Sequence, residues 1–187
     1  MNATRARRPV VILSAVAVVV LAVGAVFVWW QTQSRQSVDA LLDLVETHES
    51  SLEGHMADYL EAAKKVPSNT GAGYTSGQVA AATSAVQEMN AVASDAVTDG
   101  IVAQHDLNTL MLTDGSPLDD ARDAYTAHVE AWQVQWESLG NLQLGTQASS
   151  QFNDAEINAT FTIAERVFVD LDLTDTQRER VEAIFTD

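Results

Sequence analysis

One segment restricts what this chain can be more than any other. Val10 to Trp30 reads VVILSAVAVVVLAVGAVFVWW, 21 residues with no charge and with Ser14 as the one polar side chain. At about 1.5 Å of rise per residue such a helix covers roughly 32 Å, the depth of a bilayer's hydrocarbon core. The segment therefore predicts a single transmembrane helix over residues 10–30. Arg5, Arg7 and Arg8 stand before it, and no acidic residue occurs before Asp39. Positive charge is retained on the cytoplasmic side, so residues 1–9 are expected inside and residues 31–187 outside the cell membrane. Trp29 and Trp30 fall where the chain leaves the lipid, the place of interfacial anchors. The rival reading is a cleaved signal peptide, because Ala22-Val23-Gly24 resembles a small-residue cleavage site. The apolar run continues six residues past that point without a helix breaker.

The remainder has a different character. Of the ten basic residues three precede the apolar run, so the part after Trp30 holds seven basic and 26 acidic residues, a formal charge of −19. Such a field repels nucleic acid and anionic lipid headgroups, and it suits basic protein surfaces, cations or solubility alone. The chain has no cysteine. That removes disulfides, thiolate metal sites and cysteine nucleophiles from consideration.

Helical periodicity runs through this acidic part. Val38, Val45, Leu52, Tyr59 and Val66 recur every seven residues, with Leu42, Met56 and Ala63 widening the stripe. Pro67 to Gly73 should stop that helix. A second helix is expected from about Gly77 to Thr113 after the cap candidate Ser76, with Asp114-Gly115 ending it. Val79, Val86, Ala93, Gly100 and Leu107 form one line of its seam, and Ala82, Met89, Ala96, Ala103 and Leu110 the other. Ala93, Ala96, Gly100 and Ala103 leave room for a neighbour to pack closely; Gly100 is alternatively a break after Asp99. The two helices predict an antiparallel hairpin roughly 50 Å long.

Ser116-Pro117 opens a third helix, with Asp119 close to completing a capping box. Its apolar face is Leu118, Ala121, Tyr125, Val129, Trp132, Trp136 and Leu139. A polar loop is expected over residues 140–150. A fourth helix over residues 154–169 carries Ile157, Phe161, Ala164 and Phe168 at helical spacing. A short fifth over residues 175–185 follows Thr174, with Gln177 three residues after the cap. The fold class is all-α, a transmembrane helix continuing into a hairpin or four-helix-type bundle.

Tests for chemistry mostly fail. His48 and His55 lie seven apart beside the first stripe, and His105 and His128 lie on other helices, without metal-ligand spacing. His48-Glu49-Ser50-Ser51-Leu52 has Leu52 where a zinc-protease helix needs its second histidine. Asp170, Asp172 and Thr174 mimic the opening of a calcium loop, but Asp175 and Val181 occupy the positions that need Gly and Glu. Nucleotide loops and nucleophile elbows are missing. No catalytic, cofactor or metal residue is assigned, and the chain is expected not to be an enzyme. Tyr125, Trp132, Trp136 and the histidines could alternatively line a small-ligand or cation site, although aromatics at helical spacing mostly form core.

Two resemblances follow from the residues quoted. Leu173-Thr174-Asp175-Thr176-Gln177 resembles a signature of small periplasmic helical chaperones, which carry it before a long helix; here ten residues follow Gln177. In layout the chain resembles small single-pass accessory subunits of actinobacterial respiratory supercomplexes. The features are the Arg5–Arg8 end, the Val/Ala-rich span and the cysteine-free acidic helices beyond it. That resemblance implies a non-catalytic subunit whose partners are other membrane proteins with basic extracytoplasmic surfaces. A chaperone-like envelope protein is the third alternative.

Overall fold

A computed structural model describes residues 37–67, 75–141 and 154–186. The chain divides into two compact units, Met1–Asp39 and Ala40–Asp187. Of the first, only residues 37–39 are described, and they are helical. The expected span over residues 10–30, with Arg5, Arg7, Arg8, Trp29 and Trp30, lies outside the described residues. Among those described, no helix is long and apolar enough to cross a membrane.

Every regular element among the described residues is an α-helix. In chain order these are α1 (residues 37–64), α2 (Ser76–Thr109), α3 (Pro117–Gly140), α4 (Asp154–Val169) and α5 (Asp175–Thr186). Local chemistry sets the ends. Thr75, not Ser76, caps α2: its hydroxyl accepts from the Gln78 amide at 3.3 Å, and Gln78 Oε1 accepts from the Thr75 amide at 2.9 Å. Thr174 and Gln177 close the same reciprocal box on α5 at 3.3 and 3.1 Å. At α3 the box is displaced. Ser116 Oγ accepts from the Asp119 amide, but Asp119 Oδ2 reaches back to the amide of Gly115 at 2.9 Å. Helix α2 runs through Gly100 and ends at Thr109, earlier than Asp114-Gly115. That pair instead forms the turn into α3, with Gly115 at φ 69°, the left-handed region that favours glycine.

Side-chain contacts fix the topology. Lys65 meets Glu88 at 2.9 Å and His55 meets Asp99 at 2.8 Å, so α1 and α2 are antiparallel. A Cβ built on Gly100 would meet Gln133 Cγ at 2.8 Å and one on Gly140 would meet Ala93 Cβ at 3.5 Å, so α3 reverses again. His128 on Thr160 and Tyr125 against Phe168 make α4 antiparallel to α3. The result is an up-down-up-down bundle. Helix α5 returns to the start of α1, where Arg180 donates to Glu46 at 2.7 and 2.9 Å and to Asp43 at 2.6 Å.

The core has two levels. One end holds Leu52, Tyr59, Ala62, Met89, Ala93, Ala96, Trp136 and Leu139. The other holds Tyr125 and Phe168, with Phe185 of α5 packed at a tilt against Phe161 and Phe168 at ring distances of 5.0 and 5.5 Å. On α2, Ala93, Ala96 and Gly100 are buried and Ala103 is half-buried, while Val79 at the start of the expected seam is exposed. Large residues at the fully buried seam positions would force the helices apart. Ala93→Leu should therefore lower stability by about 1–3 kcal/mol, the usual cost of overpacking. Ala91→Leu, on the exposed side of the same helix, should leave it nearly unchanged. Thermal unfolding followed by circular dichroism distinguishes the two.

Candidate functional site: a buried polar cluster between α1, α3 and α4

The stripe that builds the core also carries polar groups into it. On α1, His48 follows Val45 by three residues and precedes Leu52 by four, so it shares their face and is buried. Glu49 sits beside it on the edge of that face, with its side chain 23% exposed. On α3, His128 falls between Tyr125 and Trp132 by the same spacing and is 1% exposed. Thr160 comes from α4.

These groups form one connected set. The Tyr125 hydroxyl lies 2.8 Å from Glu49 Oε1, 2.8 Å from His48 Nδ1 and 3.4 Å from the Val45 carbonyl. His128 Nε2 accepts from the Trp132 indole N–H at 3.1 Å and lies 3.6 Å from Glu49 Oε1. His128 Nδ1 lies 3.1 Å from the Thr160 hydroxyl, which itself donates to the carbonyls of helix α4 at Ile157 and Glu156. The His128 ring is thereby defined. An indole only donates, so Nε2 is the bare nitrogen and Nδ1 carries the proton to Thr160.

Burial dominates the charge states. It pushes His48 and His128 down to about 4, so both imidazoles are neutral near pH 7. Asp99 works against this at His48, but desolvation outweighs it. Burial pushes the Glu49 carboxyl up to about 7, aided by Glu53 and opposed by the Tyr125 hydrogen bond. Burial and the adjacent Glu49 hold the Tyr125 phenol well above its ordinary value, so it keeps its proton. The close approach of His128 to Glu49 is thus a contact between a neutral ring and a carboxyl.

Comparison with protein families, curated proteins and solved structures finds no match. The chemistry must be read from the cluster alone.

Several residues singled out in the sequence do meet here. Tyr125, Trp132, His48 and His128 converge, and Trp136 stacks on Trp132 with ring centroids 6.0 Å apart while packing edge-on against Tyr59. His105 is exposed and stands apart. His55 joins Ser51 on the α1–α2 face, where both bond the same oxygen of Asp99 at 2.8 Å. Those hydrogen bonds hold the Asp99 carboxyl below its ordinary range. Ser, His and Asp meet there, but the serine bonds the carboxylate rather than the imidazole, so no base is aligned on its hydroxyl. Among the described residues no group of three His, Asp or Glu is placed to hold a metal ion. Asp170 and Asp172 are exposed, and Thr174 serves as a helix cap. Glu49 and Thr160 escaped the sequence reading. The available signal was the interruption of two apolar stripes by His48 and His128, each needing a buried partner.

The perturbed groups make stability depend on pH in opposite senses. A histidine held neutral by burial supports the fold above its unfolded value of 6.5, and that support is lost as pH falls towards about 4. A carboxyl raised from 4.5 to about 7 removes stability as pH rises across that interval, because the unfolded chain ionises first. Glu49→Gln deletes the second effect alone. The stability of the variant relative to the parent should grow between pH 4.5 and pH 7, by up to about 3 kcal/mol, and stay level above. Thermal melts of the full chain across a pH series measure this.

Proposed function

We propose that this chain is a membrane-anchored, non-catalytic accessory or scaffold subunit of a larger membrane protein complex. The observation that carries the reading is the joining of an uncharged 21-residue segment, preceded by Arg5, Arg7 and Arg8, to an acidic part of formal charge −19. Single-pass insertion with the N-terminus in the cytoplasm presents that negative bundle on the extracytoplasmic side. The partners are other membrane proteins with basic outer surfaces, together with the lipid bilayer, and not nucleic acid. A respiratory complex is the lead example, since an acidic outer face suits basic electron-carrier domains. In the interior, the polar side chains described above bond one another.

Purification of a tagged chain in mild detergent tests the assignment. A stoichiometric partner is expected; migration alone would remove the subunit reading. Protease added to intact spheroplasts should digest the C-terminal domain and leave a small protected fragment. Replacing Arg5, Arg7 and Arg8 by Glu should reduce or scramble insertion. A mature mass lacking the first 24 residues or so would mean that the segment is a signal peptide.

A second reading has its own support. The convergence of His48, Glu49, Tyr125, His128 and Trp132 places donors and acceptors inside a helical bundle, where bundles hold ligands and cations. Under that reading the protein is an extracytoplasmic binding module. Thermal shift with divalent cations and envelope metabolites at millimolar concentration decides it, and the lack of any shift counts against it.

A further inference from the structure

The Tyr125 hydroxyl is the node of the buried cluster. It has one proton to give, and two strong partners at equal distance, Glu49 Oε1 and His48 Nδ1, both 2.8 Å away. A carboxylate only accepts, so when Glu49 is ionised Tyr125 must donate to it. His48 must then donate from Nδ1 to the Tyr125 oxygen. The chain runs His48 to Tyr125 to Glu49. When Glu49 is a neutral acid its own O–H can donate to Tyr125. The phenol proton is then released to turn towards His48, which accepts at a bare Nδ1 and carries its proton on Nε2.

We propose that uptake of one proton at Glu49 reverses the hydrogen-bond chain through Tyr125 and converts His48 from the Nδ1–H to the Nε2–H tautomer, a proton-operated switch joining α1 to α3. The protons balance. One enters from solvent at Glu49 and stays. The phenol keeps its proton and rotates it. The imidazole gives its Nδ1 proton up to solvent and takes one from solvent at Nε2, so it remains neutral and the net uptake is the single proton on Glu49.

The surroundings let only this arm move. On α3, His128 also lies near Glu49, but its Nε2 is occupied by the Trp132 N–H and its Nδ1–H by Thr160, so it has no proton for the carboxyl. From α4 the cluster receives the neutral Thr160 hydroxyl. On α1, Glu53 repels the ionised form of Glu49, and His55 disfavours charge on His48. On α2, Asp99 faces His48 but is bonded by His55 and Ser51. The guanidinium of α5, Arg180, is held by Asp43 and Glu46. Burial places the Glu49 carboxyl at about 7 and both buried imidazoles at about 4, so over the neutral range the carboxyl titrates while the rings stay uncharged.

The test is nitrogen NMR of the full chain labelled at histidine, with the glutamate side-chain carboxyl carbons labelled in parallel, between about pH 5 and about pH 9. The expected result is that His48 changes from the Nε2–H to the Nδ1–H tautomer as pH rises, with the midpoint of the Glu49 carboxyl resonance. His128 should keep Nδ1–H throughout. Glu49→Gln should hold His48 in one tautomer at every pH. Tyr125→Phe should leave the carboxyl titrating while the tautomer no longer follows it. A wild-type His48 that keeps one tautomer across the range overturns the proposal. So does a tautomer change that persists in Glu49→Gln. Should a variant fail to fold, the wild-type midpoints decide alone: they must coincide.

Discussion

The bundle depends on an unequal division of side-chain size. Helix α2 brings Ala82, Ala85, Ala93, Ala96 and Gly100 to the interior, while α1 and α3 bring Tyr59, Tyr125 and Trp136. Small residues on one helix allow its neighbours to approach, and the aromatic rings then fill the space between α1 and α3. The close contact between Gly100 and Gln133 is a direct result. The His48–Tyr125 contact lies between the two helices that carry the large rings.

That arrangement is costly unless its members satisfy one another. A buried polar group without a partner costs about 1–3 kcal/mol. Here Trp132 and Thr160 meet the two ring nitrogens of His128, Tyr125 meets Nδ1 of His48, and Glu49 meets the Tyr125 hydroxyl. The central carboxyl is the exception in charge. Of the four titratable groups His48, Glu49, Tyr125 and His128 it is the one with a near-neutral titration, and it sits where α1 and α3 meet. Networks of this kind fix one relative placement of two helices more sharply than apolar contacts do, because geometry as well as volume must match.

Much of the fold was legible in the sequence. The middles of the heptad lines of α1 and α2, the limits of α4 and the Thr174 box of α5 follow from periodicity and capping chemistry, and the buried faces agree with them at Leu52, Tyr59, Met89, Trp136, Ile157 and Phe168, whereas Val66, past the end of α1, and Val79, in the first turn of α2, are exposed. The cap of α2 was placed one residue late, because Thr75 and Ser76 are both good caps and only Thr75 pairs with a glutamine three positions on. The end of α2 was placed late because Asp114-Gly115 is a strong stop signal, yet the chain leaves the helix at Leu110. The cluster was half legible. Spacing marks His48, His128 and Tyr125 as inward, but nothing local tells that Glu49 of α1 and Thr160 of α4 meet them. Such partners are decided by tertiary register, which one sequence does not display.

The grip of Arg180 on Asp43 and Glu46 has a consequence for how the chain assembles. It ties residues 137 and 134 positions apart, whereas α2, α3 and α4 each pack against the helix next to them in sequence. Neighbouring helices can pair as soon as both exist, and closing a long loop costs only slightly more than closing a short one once the intervening chain is ordered. The clasp brings the two ends of the helical unit to one place. Detaching α5 would uncover Phe161 and Phe168 while leaving α1 to α3 paired. Helix α5 thus closes the helical unit by covering those rings and joining its own residues to the first turns of α1.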